Sequence, residues 1–202
     1  TAGANLFVAV GDKGTVLASS DGLMWQAAAA VTNVMLRGVA FGNGRFVAVG
    51  DAGTILTSSD GLTWQSKKSG SIAYLNAIVY GKDRFVAVGN AGAILSSTDS
   101  EIWKAGDPGV SKTFEGIIFG EKLFVAVSED GPVVTSSDGL VWQKTMLMSP
   151  FKPRAVAFGS GNFVIVGTPI APTQKDLIIL TSADGESWTP RHVGPLYYFR
   201  GI

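Results

Sequence analysis

Apolar residues in this chain come in short runs, and each run is broken by a polar turn. The stretch FVAVGDAGTILTSSDGLTWQ, residues 46–65, shows the whole pattern. Its runs are apolar at successive positions rather than alternating. That is the signature of strands whose sheet is covered on both faces. One period predicts four strands: LRGVAFG (36–42), RFVAVG (45–50), TILTS (54–58) and LTWQ (62–65). Asn43-Gly44, Asp51-Ala52-Gly53 and Ser59-Asp60-Gly61 separate them, and Asn, Asp and Gly are the residues that tight turns need. No window carries a helical period of useful length.

The pattern repeats. Copies begin at Phe7, Phe46, Phe85, Phe124 and Phe163, each 39 residues after the last. The matching tryptophans are Trp25, Trp64, Trp103, Trp142 and Trp188; the last step is 46 residues, so the fifth copy carries a seven-residue insertion around 168–176. A fixed period of this length means a solenoid, a propeller or an array. Four antiparallel strands per period make one propeller blade. The predicted fold is therefore an all-β, five-bladed β-propeller in a single domain, 1–202. The two ends, joined, read FRGITAGANLFVAVG and align without a gap with LRGVAFGNGRFVAVG (36–50). Residues 198–202 are thus expected to complete the first blade and close the ring by strand pairing.

Composition narrows the partners. Sixteen basic residues balance sixteen acidic ones, which argues against nucleic-acid or membrane-surface binding by bulk charge. No apolar run is long enough to enter a membrane. There are no cysteines and so no disulfides. The chain opens on Thr1 in mid-blade, and a leader, a neighbouring domain or added residues are expected to have preceded it. The expectation is a soluble protein of bacterial type, exported with its leader removed, with the compartment itself left open. A monomer is expected.

The motif S-x-D-G-x-x-W recurs in the turn before each fourth strand, with Ser100 in place of the glycine in the third copy. Its aspartates are Asp21, Asp60, Asp99, Asp138 and Asp184. Each is expected to lock its turn by accepting backbone amides, with Trp packing between blades. Together with F-V-A-V-G-D-x-G-T-I-L, this motif resembles the bacterial-neuraminidase (Asp-box) propellers. The subgroup it is most similar to includes the photosystem II assembly and stability factor. The spacing differs from the usual box, since Trp64 sits four residues after Asp60. The resemblance covers the whole chain and implies the fold.

Three further sets of residues are candidates. One position per blade in the innermost strand holds Arg37, Asn76, Glu115, Arg154 and Arg200. By register these line one channel mouth, with a formal surplus of two positive charges. Arginine forks suit carboxylate or phosphate. The turn after each second strand carries Asp12, Asp51, Asn90, Glu129 or Thr168, read as ordinary turn chemistry with no metal site. The inter-blade linkers and these turns share one face. That face gathers Tyr74, Met146, Met148, Phe151, Ile170, His192, Tyr197 and Tyr198.

The chain lacks a nucleophile paired with a base, and its single histidine has no second ligand. The expected function is a non-catalytic binding scaffold, without cofactor, that engages a protein segment or an acidic ligand on the linker face and channel mouth. A carbohydrate-binding propeller is the alternative. A sialidase-like glycosidase, with Arg37, Arg154 and Arg200 as its arginine triad, is the third reading, by fold analogy alone.

Overall fold

The computed structural model describes residues 1–129, 131–147, 151–169 and 176–195. They form five antiparallel sheets of four strands, each built from consecutive strands in order. Blade one is β1 (Ala2–Gly3), β2 (Leu6–Val10), β3 (Val16–Ser19) and β4 (Gln26–Ala27). Blade two is β5 (Leu36–Gly42), β6 (Arg45–Gly50), β7 (Ile55–Ser58) and β8 (Gln65–Lys67). Blade three is β9 (Leu75–Gly81), β10 (Arg84–Gly89), β11 (Ile94–Ser97) and β12 (Lys104–Ala105). Blade four is β13 (Phe114–Gly120), β14 (Leu123–Ser128), β15 (Val133–Ser136) and β16 (Gln143–Thr145). Blade five is β17 (Phe151–Gly159), β18 (Asn162–Pro169), β19 (Asp176–Ser182) and β20 (Thr189–Pro195). The five-bladed, all-β propeller is the fold that the repeat predicts.

The strands are apolar on both faces because both faces are used. Phe46, Ala48, Leu56 and Trp64 of blade two pack on Val8, Val16 and Ala18 of blade one. The alternate residues Val47, Val49 and Ile55 pack on Leu75, Phe85 and Ala87 of blade three. In β6, Phe46, Val47, Ala48 and Val49 are all fully buried. Each such phenylalanine contributes roughly 2–3 kcal/mol by leaving water.

The inner strands add a second contact. Each aromatic one residue before the strand's end stacks on its own blade's phenylalanine: Phe41 on Phe46, Tyr80 on Phe85, Phe119 on Phe124 and Phe158 on Phe163, with centroids 4.6–4.8 Å apart. The same ring covers the terminal glycine of the preceding blade. A Cβ on Gly3, Gly42, Gly81 or Gly120 would sit about 2.0–2.2 Å from Phe41, Tyr80, Phe119 or Phe158. Close approach, rather than backbone freedom, is what requires glycine here.

β1 is the second half of an inner strand. Ala2 pairs with Phe7 and Gly3 with Leu6, as Phe41 does with Phe46 and Gly42 with Arg45. Thr1 exchanges both ladder bonds with Val8, at 2.9 Å each. The expected closing strand, 198–202, lies outside the described residues.

The sequence places the insertion of blade five at 168–176, between its second and third strands. The structure carries strand pairing into its first residues. β17 and β18 are nine and eight residues long, and Phe151 pairs with Pro169 and Lys152 with Thr168. The ladder of blade five therefore runs past the point where the other blades turn. Extending an antiparallel hairpin satisfies the added backbone groups, which a loop would have left to water.

The glycine contacts give a direct test. Gly81→Ala is expected to destabilise the protein by about 1–3 kcal/mol, because Phe119 is held against Phe124 and cannot yield. Gly159→Ala has nothing within 4 Å of its added carbon and should melt as wild type does. Equal melting temperatures for the two variants would rule out the ring-on-glycine contact as a packing constraint.

Candidate functional site

The five Asp turns lie at one end of the blades. In blade two, the Ser58 hydroxyl donates to Asp60 Oδ1 (3.0 Å) and accepts the Gly61 N–H (2.8 Å). Asp60 Oδ1 accepts the amides of Leu62 (2.9 Å) and Thr63 (2.7 Å). The Trp64 indole donates to the Gly61 carbonyl (3.0 Å). The Ser–Asp bond recurs in all five blades, on Asp21, Asp99, Asp138 and Asp184. Four of the indoles reach the turn carbonyl; Trp142 is the exception, and its Nε1 is buried without a partner.

The two amides of the fourth and fifth turn positions hold every one of these carboxyls below the ordinary range. Asp60 and Asp184 sit at about 2, against an ordinary 3.8. The sequence suggests that the aspartate satisfies buried amides. The structure divides the work differently. Ser58 and Gly61 are buried, whereas Asp60 and its two amide bonds are exposed.

The opposite end holds the linkers and the mouth. Here the inner strands are irregular at one place per blade. β5 pairs Leu36 with Gly50 and then Gly38 with Val49, so Arg37 is the extra residue of a β-bulge. Asn76, Glu115 and Arg154 occupy the same bulge in β9, β13 and β17. A bulge breaks the ladder and re-aims its extra side chain. Four of the five predicted mouth residues are therefore brought to one structural position; Arg200 lies outside the described residues.

Each of the four has a partner. Arg37 Nε pairs with Asp51 Oδ1, and its guanidinium lies 5.6 Å from the centroid of the half-exposed Tyr74 ring. Asn76 donates from Nδ2 to the Phe114 carbonyl of the next blade (2.9 Å). Arg154 reaches back to blade four, with Nη1 3.5 Å from Glu115 and Nη2 3.1 Å from Glu129. Lys152 stands 3.9 Å from Glu129. Burial pushes the Glu115 carboxyl up; Arg154 pulls it down, Glu129 raises it and Arg37 lowers it. Glu115 thus feels an arginine from two blades away and one from the adjoining blade, which is the convergence that register predicts.

The missed residues are those of the second-strand turns. Read as turn chemistry alone, Asp51 and Glu129 are the partners of the two described arginines. The three described cations Arg37, Arg154 and Lys152 meet three carboxylates, Asp51, Glu115 and Glu129; the surplus of two counted from the inner strands includes Arg200, which lies outside the described residues. The signal was present: the acids stand at the same place in the period as each other, one pairing step from the bulge.

These turns also clamp the linkers. The amides of Gly14, Gly53 and Gly92 donate to the linker carbonyls of Val34, Ala73 and Lys112 (2.7–2.8 Å). Asp51, Asn90 and Glu129 donate to Met35, Tyr74 and Thr113 (2.9–3.1 Å). A Cβ on Gly53 would lie 1.9 Å from the Ser71 carbonyl, and that residue also has φ +67°, so glycine is required twice over.

The remaining candidates scatter. Met146 is exposed. Phe151 begins β17, on the extended part of the blade-five hairpin. His192 pairs with Ile178 inside β20, an outermost strand, and so stands at the rim rather than in a linker. Met148, Ile170, Tyr197 and Tyr198 lie outside the described residues. Among the described residues, no group of three or more His, Cys, Asp or Glu could hold a metal ion, and no helix is long and apolar enough to cross a membrane.

With this geometry in hand, the solved structures can be compared. The chain is similar to YCF48 bound to D1 peptide, with a TM-score of 0.69 and 18% identity, over 93% of this chain and 63% of that one. It is similar to YCF48 from Cyanidioschyzon merolae, with a TM-score of 0.66 and 16% identity, over 92% and 68%. The nidogen/laminin complex contains another similar chain, with a TM-score of 0.72 and 11% identity, over 97% and 81%. At these identities the likeness is one of fold. No protein-family model and no curated protein matches the chain.

Two outcomes follow for the Asp turn. Ser58→Ala removes the acceptor of a buried amide and should cost about 1–3 kcal/mol, whereas Asp60→Ala frees only exposed amides and should cost about 1 kcal/mol. The acid limb is set by sign. A carboxyl lowered on folding stabilises fully above 3.8, and that stability is lost as pH falls through about 2. Asp60→Asn keeps an acceptor oxygen without the proton, so its melting temperature should fall less than that of wild type between pH 5 and 2. Parallel melting curves against pH would show that Asp60 is not linked to folding.

Proposed function

We propose that this propeller is a non-catalytic scaffold that holds a protein segment across the bulge-lined mouth. The observation that carries this reading is the bulge itself. The same irregularity recurs in four blades, at a position whose side chains differ in charge from blade to blade. A fold that needed only a closed channel would repeat one residue there. Variable side chains on a repeated backbone are how repeat proteins present a specific surface.

The chemistry fits a peptide better than a free anion. Both described mouth arginines are already paired, so a lone anion must displace a carboxylate to reach either. A segment carrying its own carboxylate can exchange with Asp51 on Arg37 while an apolar side chain rests on Tyr74. Its basic side chains find Glu115 and Glu129. The ion pairs hold both arginines in place, which lowers the ordering cost of binding. Two similar folds support the class of partner: one is bound to a peptide and another belongs to a complex with laminin. A carbohydrate-binding propeller would need an exposed aromatic in each blade, and Trp64 and Trp142 are buried.

The test is a titration of acidic and mixed-charge peptides, at low and moderate salt, against wild type, Arg37→Ala and Arg154→Ala. The best peptide is expected to bind each variant at least about fivefold more weakly, the loss of roughly one charged hydrogen bond. Wild-type affinity in both variants would rule out the mouth as the binding site.

A further inference from the structure

At the Asp-turn end, the seam between blades two and three is closed by an ion cluster. Arg45 opens β6 and stands on the same face as Val47 and Val49, the face turned to blade three. Lys67 ends β8 of the same blade. Glu101, two residues after the turn aspartate of blade three, reaches both. Its Oε1 is 3.7 Å from Arg45 Nη1 and its Oε2 is 2.6 Å from Lys67 Nζ.

The next seam keeps the cations and loses the acid. Arg84 opens β10 as Arg45 opens β6, but Leu140 of blade four stands where Glu101 stands. A Cβ on Gly139 would lie 2.7 Å from Arg84 Cδ, so the arginine stem rests on blade four's turn. Its Nη1 is 3.5 Å from the hydroxyl of the buried Ser96. Lys104 pairs with Ser96 across the ladder of β11 and β12, which puts both side chains on this face. Among the described residues, neither Arg84 nor Lys104 makes an ion pair. The nearest acids serve their own turns. Asp99 Oδ1 accepts the Ser97 hydroxyl and the amides of Glu101 and Ile102, at 2.9 Å each. The Asp138 carboxyl is held low first by the Val141 and Leu140 amides, with Arg84 the least of its partners. A groove of about 230 Å³ lies between the two blades, lined by Arg84, Ser96, Asp99, Ile102, Lys104 and Leu140 among others.

We propose that this groove binds a carboxylate on a short aliphatic stem, the group that Glu101 presents one seam earlier, brought by a small ligand or by an acidic side chain of a partner protein. The ligand class follows from a precedent within the chain. The same kind of seam holds a carboxylate between an arginine and a lysine when the neighbouring blade supplies one. Arg84 offers a planar fork, Lys104 a second positive charge and Ser96 a hydroxyl donor. The exposed side chains of Ile102 and Leu140 offer apolar cover to the stem. The arginine stem is already held against Gly139, so little of its freedom is left to lose on binding. The groove lies at the opposite end of the blades from the bulge-lined mouth and shares no residue with it, so the two readings fail separately.

The test follows backbone amides of the labelled protein by NMR while it is titrated with propionate or with a short blocked peptide holding one glutamate between alanines. The amides of Ser96, Lys104 and Leu140 are expected to shift saturably with either probe, and less at moderate than at low salt. Lys104→Gln, a change at an exposed side chain, should weaken binding at least about fivefold. Arg84→Gln should do the same; if it fails to fold, Lys104→Gln and Leu140→Glu decide. Leu140→Glu gives blade four the acid that blade three has and should abolish the shifts. Arg37→Ala, at the mouth, should leave them unchanged. Both probes binding alike upholds the site as one for small carboxylates, and a peptide bound at least about tenfold more tightly upholds it as one for a protein segment. Absence of saturable shifts with both probes up to about 50 mM overturns the proposal. So do shifts that persist undiminished in Lys104→Gln and Leu140→Glu.

Discussion

Two apolar faces on each sheet require a neighbour on either side, and this constraint organises the molecule. A single four-stranded sheet of this sequence would expose valine, isoleucine and phenylalanine to water on both sides. Stacking removes the exposure only for blades that have two neighbours. The interior residues of blades two, three and four are accordingly near zero exposure. The inner-strand aromatics make the stacking specific. Each ring touches its own blade's phenylalanine and fills the space above the preceding blade's glycine, so ring and glycine fix how closely two blades approach.

The two ends of the blades solve different problems. At one end, the Ser–Asp turns close the last hairpin of each blade within a few residues and depend on no other blade for their bonds. At the other end, the second-strand turns bind carbonyls of the linkers that enter and leave the blade. That clamp sets where β5, β9 and β13 begin, and the bulge follows at the second residue of each; in the longer β17 it falls at the fourth. The mouth is therefore positioned by backbone bonds, and its side chains are free to differ. Arg37, Asn76, Glu115 and Arg154 differ while the bulge that carries them is the same. This is the separation of scaffold from surface that a binding repeat protein needs.

Charge at the mouth shows why counting one tier of residues misleads. The inner-strand positions alone give an excess of arginine. The turn acids lie close to them in space although 14 residues separate Arg37 from Asp51 and 25 separate Arg154 from Glu129. Arg154 also bridges two blades, and it offsets part of the cost of holding two carboxylates, Glu115 and Glu129, near each other.

The sequence by itself determined the repeat, the strands, the turns and the number of blades, because each rests on local chemistry. Successive apolar positions, Asn-Gly and Asp-Gly turns and a 39-residue period all act within a few residues of one another. It also placed Arg37, Asn76, Glu115 and Arg154 at one equivalent position, since a repeat returns to the same place in each blade. What only the tertiary structure decided depends on contacts between segments far apart in the chain. The bulge at Arg37 is a property of two strands in register, and no residue type announces it. The pairing of arginines with turn acids, the double clamp on the linkers and the extension of the blade-five hairpin to Pro169 arise the same way. The burial of Phe46 is the clearest case. Its local sequence makes it a strand residue, and only the sheet of blade one across from it takes it out of water.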